Sequence, residues 1–175
     1  MTNQELAEYN KHRKMYQFCC ITGDIEKTMQ AWVDILKVGP WQVRHFNDKT
    51  MSSLTVGGKK ITEPFEMIIA ISKVGDMEIE LIQPVHGPTI YQEFLDRRGP
   101  GLFHVKEKIA TEDWDATVKE FADKGVGILQ TGWFFDDVHA YMDTEPTCDF
   151  IWELGNCPVI DVPEGMTRIF PYNND

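Results

Sequence analysis

The feature that most constrains this chain is a pattern of elements that occurs twice. Residues 16–21, "YQFCCI", read as a strand. Asp24 then offers an N-cap for a helix, "DIEKTMQAWVDILK", whose Ile25, Met29, Trp32, Val33 and Leu36 form an apolar stripe. Gly39 and Pro40 stop it. "WQVRHF", "FEMIIAIS" and "MEIELIQP" predict three more strands, with a turn at Gly75-Asp76 and a hairpin around Gly57-Gly58. A connecting segment with a helix near "TIYQEFLDRRG" follows. Then the pattern restarts. "LFHVKEKI" reads as a strand, Thr111 or Asp113 caps a helix that ends at Gly125, and "VGILQT", "WFFDDVHAYMDT" and "DFIWEL" predict three further strands.

The order is βαβββ, a linker, and βαβββ again. Gln17 and His104 stand at the same place in the two halves, and so do Glu80 and Glu153. Gln17 lies 22 residues before Gly39 and His104 lies 21 before Gly125. The expectation is an α+β domain over residues 15–155, with modules at about 15–84 and 101–155. Residues 1–14 read as an N-terminal extension, and the Pro-rich tail 156–175 as a segment wrapping the surface.

One strand raises a question of charge. In "EIELIQP", residues 78–84, Glu78, Glu80 and Ile82 share one face and Ile79 and Leu81 the other. A carboxylate inside such a run is costly to bury unless something pairs with it.

Composition narrows the partners. Seventeen basic against 28 acidic residues give a net charge of −11, and no basic patch of the kind a nucleic-acid binder carries is visible. No apolar run is long enough for a transmembrane helix, and the polar N-terminus lacks the apolar stretch of a signal peptide. Cys19, Cys20, Cys148 and Cys157 have no CxxC spacing and read as reduced thiols with small apolar packing roles. A cytoplasmic protein that binds neither nucleic acid nor membrane is expected.

Three stretches resemble the vicinal oxygen chelate superfamily (glyoxalase, bleomycin resistance, dioxygenase), and its methylmalonyl-CoA epimerase branch in particular. They are "DIEKTMQAWVDILKVGPW", "IELIQP" with "IYQEFLDRRGPGLFHV", and "YMDTEPTCDFIWEL". The resemblance implies a half-open, cup-shaped mixed sheet around a metal site, and a homodimer is expected. Carried over by position, the implied ligands are Gln17, Glu80, His104 and Glu153. Gln17 stands where epimerases usually have His, and Phe103-His104 replaces a His-His pair.

One imidazole, two carboxylates and an amide oxygen suit a single divalent ion, Mn²⁺, Co²⁺, Zn²⁺, Ni²⁺ or Mg²⁺. A lone His on a strand is more often structural than a ligand, but four repeat-equivalent positions together favour a ligand set. The implied activity is an epimerase or racemase that moves a proton α to the carbonyl of a small molecule. Glu153 is the first candidate base, and Glu78 and Lys106 are candidates for the opposing one. The substrate is methylmalonyl-CoA or a similar acyl-CoA, with Lys59, Lys60, Arg97 and Arg98 to receive phosphates, or an aromatic ketone such as dihydrodaidzein. The alternatives are a glyoxalase I-type lyase, similar to lactoylglutathione lyase, and a non-catalytic small-molecule binder. His45 and His139 are expected to line the pocket, and Asp136-Asp137 to be solvated.

Overall fold

The computed structural model describes residues 1–172. One mixed sheet runs through the molecule in the order β11-β2-β5-β6-β1-β7-β10-β9-β8-β3-β4. The first half supplies β1 (Lys14–Ile21), β2 (Trp41–Asn47), β5 (Glu66–Val74) and β6 (Met77–His86). The second supplies β7 (Gly101–Lys108), β8 (Ile128–Phe134), β9 (Asp137–Met142) and β10 (Ile151–Gly155). The halves join where β1 pairs antiparallel with β7, and within each half the first and last strands pair in parallel, β1 with β6 and β7 with β10.

Helices cover the sheet where its outward residues are apolar. Asp24 accepts the Lys27 amide at 3.0 Å and starts α2 (Ile25–Ala31). That helix buries Ile25 and Met29 against Ile79 and Leu81 of β6 and Trp41 and Val43 of β2. It continues into a wider π-helical turn, Trp32–Leu36, which rotates the stripe. Leu36, expected on the buried face, is therefore exposed. α3 (Ile90–Arg98) plugs the bottom of the cup with Tyr91 and Phe94, which pack on Phe103. In the second half, α4 (Trp114–Asp123) lays Trp114, Val118 and Phe121 on Ala140, Met142 and Leu154. A helix also forms in the N-terminal segment: α1 (Asn3–Lys11) has a Thr2–Glu5 capping box and buries nothing. α5 (Glu145–Cys148) is a single turn before β10.

Three features depart from the sequence pattern. "WFFDDVHAYMDT" is not one strand. Its first residues end β8, and Phe135, with φ +51°, turns the chain into β9. The predicted hairpin forms as β3 (Ser53–Val56) and β4 (Lys59–Lys60) around Gly57-Gly58. It pairs, however, with β8 of the other half. The tail forms β11 (Arg168–Phe170), which pairs with β2. So a segment of the first half covers the outer edge of the second, and a segment that follows the second half covers the outer edge of the first. The two edges approach each other where the Phe46 and Phe134 rings meet edge-on at 4.9 Å.

Candidate active site

The inner face of the cup encloses a cavity of about 700 Å³. Strand pairing sets its floor in two rows. β1 residue Cys19 lies between Glu80 on β6 and His104 on β7. Gln17, two residues earlier and on the same face, lies between Glu78 and Lys106, and Lys106 in turn lies opposite Glu153 on β10. Ile79 and Leu81 point the other way into the helix-facing core, as alternation requires.

The four predicted ligands meet. His104 Nε2 lies 2.7 Å from Glu153 Oε2, 3.3 Å from Gln17 Oε1 and 3.5 Å from Glu80 Oε2. His104 is fully buried, and Gln17, Glu80 and Glu153 are each less than a tenth exposed. The short approach of Glu153 Oε2 lacks hydrogen-bond alignment, so that oxygen is buried without a partner. Gln17 Nε2 faces Glu78 Oε2 at 3.4 Å, and Tyr16 donates its hydroxyl to Glu78 Oε1 at 3.1 Å. Spending the amide nitrogen on Glu78 turns the Gln17 oxygen towards His104.

Lys106 is buried, with Nζ 3.1 Å from Glu153 Oε1. It reaches that position by lying across Gly155, where any Cβ would overlap its Cε. Gly132 similarly makes room for His139, whose Nε2 a Cβ would meet at 2.6 Å. Tyr91 and Tyr141 hydroxyls bond to each other at 3.1 Å behind the site.

Burial sets the charges. It pushes the Glu80 carboxyl up to about 7, against the pull of His104. Burial would also raise Glu153, but His104 and Lys106 outweigh it and hold this carboxyl well below the usual range. For Lys106, the charges of Glu153 and Asp137 outweigh the lowering effect of burial and keep the ammonium protonated. Burial lowers His139 to about 4, leaving a neutral imidazole.

Several side chains fall elsewhere than expected. His139 lines the cavity, but His45 does not: it is exposed and 3.1 Å from Glu66 Oε1. Asp137 is half-buried on the cavity wall, not solvated, because it begins β9 facing Lys106. Lys59, Lys60, Arg97 and Arg98 do not line the cavity, and the two arginines pair with Glu145 at 2.6 and 2.8 Å. Cys19 is the residue that sequence reasoning missed. Its sulfur and the donor atoms of Glu80 and His104 all lie within 4.8 Å of one another.

Residues 16–141 match the family model described as the Glyoxalase/Bleomycin resistance protein/Dioxygenase superfamily. The chain belongs to this superfamily. Among solved structures, methylmalonyl-CoA epimerase from Mycobacterium tuberculosis superposes with TM-score 0.58 at 16% identity, over 82% of this chain and 88% of that one. A single-substitution variant of Streptomyces coelicolor methylmalonyl-CoA epimerase, in complex with 2-nitronate-propionyl-CoA, gives 0.61 at 15%, over 86% and 98%. A hypothetical protein from Bacillus halodurans gives 0.60 at 14%, over 87% and 99%. At these identities the likeness is one of fold. A search of curated proteins found no match. Among the described residues no helix is long and apolar enough to cross a membrane.

Members of the superfamily typically bind a divalent metal, and the residues here fit one. An imidazole nitrogen carries one proton or one lone pair and can satisfy one oxygen. Three oxygens from three strands converge on His104 Nε2, and the nearest of them has no hydrogen bond. A divalent cation held among these groups would give their oxygens a partner and would offset the burial of Glu80.

Proposed function

We propose that this protein is a metal-dependent epimerase or racemase that removes and returns a proton α to a carbonyl. The observation that carries this reading is the approach of Gln17, Glu80 and Glu153 oxygens, from three strands, to the one nitrogen His104 Nε2 beside the cavity. A divalent cation held there by these four residues supplies Lewis-acid stabilisation of the negative charge that develops on the substrate oxygen.

The chain supplies the bases. Glu153 takes the proton on one side. Lys106 fixes its Oε1 and keeps the carboxylate ionised. His104 and the same ammonium hold it below the usual carboxylate range, against the rise that a base for a weakly acidic C–H calls for, so it gains strength as a base only when one of these charges is drawn away. Glu78 stands on β6, with β1 and β7 between it and β10, and lines the same cavity. Glu78 and Glu153 end one register row, with Gln17 and Lys106 between them, so a planar intermediate bound over that row could meet one on each face. Two opposed acid–base groups are what inversion requires, because one fixed base returns the proton to the side it left; Lys106 is the other candidate for the second.

The walls favour a compact, neutral substrate of the aromatic-ketone class. Phe46, Phe134, Met67 and Ile69 give them an apolar part, and the tail residues Pro158, Ile160 and Val162 also line the cavity. An acyl-CoA is the second reading. Arg44, Lys73 and Lys108 border the cavity and can meet phosphates, and the named solved relatives are methylmalonyl-CoA epimerases. Thermal-shift measurements with dihydrodaidzein and with methylmalonyl-CoA separate the two; a shift with methylmalonyl-CoA alone removes the ketone reading. For the reaction itself, one pure enantiomer is incubated in D₂O. Racemisation with deuterium at the α carbon, both suppressed in Glu153→Gln, is the expected result. Inversion without solvent deuterium, or full activity in that variant, overturns the mechanism.

A further inference from the structure

Cys19 is fully buried, and its backbone register sets it between the two strongest donors of the site, Glu80 on one neighbouring strand and His104 on the other. Gln17, the amide ligand, belongs to the next row, beside Glu78 and Lys106. Cys19 is therefore nearer in register to Glu80 and His104 than Gln17 is. Its Sγ shares a 4.8 Å neighbourhood with a Glu80 oxygen and a His104 nitrogen, and among the described residues this is the one such group of His, Cys and carboxylate donors. A second observation points to a ligand at the same place. Glu153 Oε2, on a side chain 2% exposed, lies against His104 Nε2 with no hydrogen bond of its own.

We propose that Cys19 is a fifth protein donor to the cation of this site, and that its thiolate biases the site towards Zn²⁺, Co²⁺ or Ni²⁺ over Mg²⁺ and Mn²⁺. The inference rests on the metal site proposed above. Thiolate is the soft donor that borderline cations prefer, whereas the oxygen ligands alone suit hard ones. When the sulfur–metal bond forms, the thiol proton leaves to solvent. Cys157 also lines the cavity, beside Lys106, and serves as the control thiol.

The test is titration of the metal-free 175-residue chain with Co²⁺. A thiolate ligand produces an intense near-ultraviolet sulfur-to-cobalt absorption that saturates with the bound ion. It is expected in the unsubstituted chain and in Cys157→Ser, and absent in Cys19→Ser. In competition assays Cys19→Ser loses at least about tenfold more affinity for Zn²⁺ than for Mn²⁺, the lower end of what disturbing a ligand shell costs. X-ray absorption of the unsubstituted zinc-loaded chain, which needs no variant to fold, shows a sulfur neighbour. Cobalt bound without the absorption, an absorption that survives in Cys19→Ser, or a shell of nitrogen and oxygen alone overturns the assignment of Cys19 and leaves the metal site standing. A chain that takes up no Co²⁺ in equilibrium dialysis overturns both.

Discussion

Lys106 lies across Gly155, and a Cβ at position 155 would stand 3.0 Å from its Nζ and overlap its Cε. The lysine and the glycine are thus one device: the missing side chain on β10 is the space through which the ammonium reaches Glu153 on the same strand. Gly155→Ala removes that space without disturbing an extended backbone. It is expected to lower α-proton exchange by about 10²-fold or more, the scale on which acid–base groups act, while metal content stays unchanged. Paired measurement of exchange rate and bound metal checks this; unchanged exchange refutes the role given to Lys106.

Glu78 and Glu153 have separable signatures if they serve opposite faces. In Glu78→Gln, proton removal from one enantiomer persists but delivery on the other side fails. That enantiomer should gain deuterium from D₂O with inversion slowed by at least about 10²-fold. Chiral chromatography with mass detection reads both quantities. A variant that loses bound metal instead assigns Glu78 to holding the Gln17 amide, with which it is in contact at 3.4 Å.

Metal removal should expose the strain of burying Glu80. Its carboxyl is raised from 4.5 to about 7, so between these values the folded state holds a proton that the unfolded state has lost. In the metal-free protein this group's contribution is greatest below pH 4.5 and declines as pH rises to 7, by on the order of 3 kcal/mol. His139, lowered from 6.5 to about 4, acts in the opposite sense, so the comparison is with Glu80→Gln. Denaturation of the chelated protein at pH 5 and 7.5 should show a more adverse pH response for the unsubstituted chain than for that variant. Saturating Zn²⁺ or Co²⁺ should remove the difference. Equal responses in the two metal-free proteins contradict it.

The last strand of the tail, β11, is anchored by Phe170, buried beside Trp41 of β2. Phe170→Ala is expected to cost about 3 kcal/mol and to loosen the residues that border the cavity. Amide hydrogen exchange should quicken at Arg168–Phe170 and in β2, while β7 and β10 stay protected. Uniform exchange across all strands would mean that the tail does not unfasten locally.

The repeat was legible because its elements announce themselves locally, with Asp24 as a cap, Gly57-Gly58 as a turn, and alternation in β6 separating Glu80 from Ile79 and Leu81. Gln17, Glu80, His104 and Glu153 stand at repeat-equivalent positions, but their reading as ligands came from the resemblance to the vicinal oxygen chelate superfamily. Lys106 was named from its face, but the space that buries it depends on Gly155, a residue with no local signal. Cys19 was hidden for a related reason. A single buried cysteine reads as a small apolar residue, and its donors lie on two other strands whose register no spacing in the chain reveals. The β8–β9 turn was missed because Phe135 adopts a left-handed conformation that bulky residues rarely take. β11 and the β3–β8 pairing join distant segments, so their partners are set by tertiary closure alone.

That crossed pairing has a consequence for how the molecule comes into being. During synthesis β3 and β4 emerge long before β8 exists, and β2 waits with one side unpaired until residues 168–170 arrive. Neither half can complete its own sheet from its own sequence. A chain cut in the linker around α3 would yield two fragments that each expose a bare strand and carry the other's missing one. Mixed together, they should associate by mutual exchange, whereas each fragment alone should aggregate or remain unfolded.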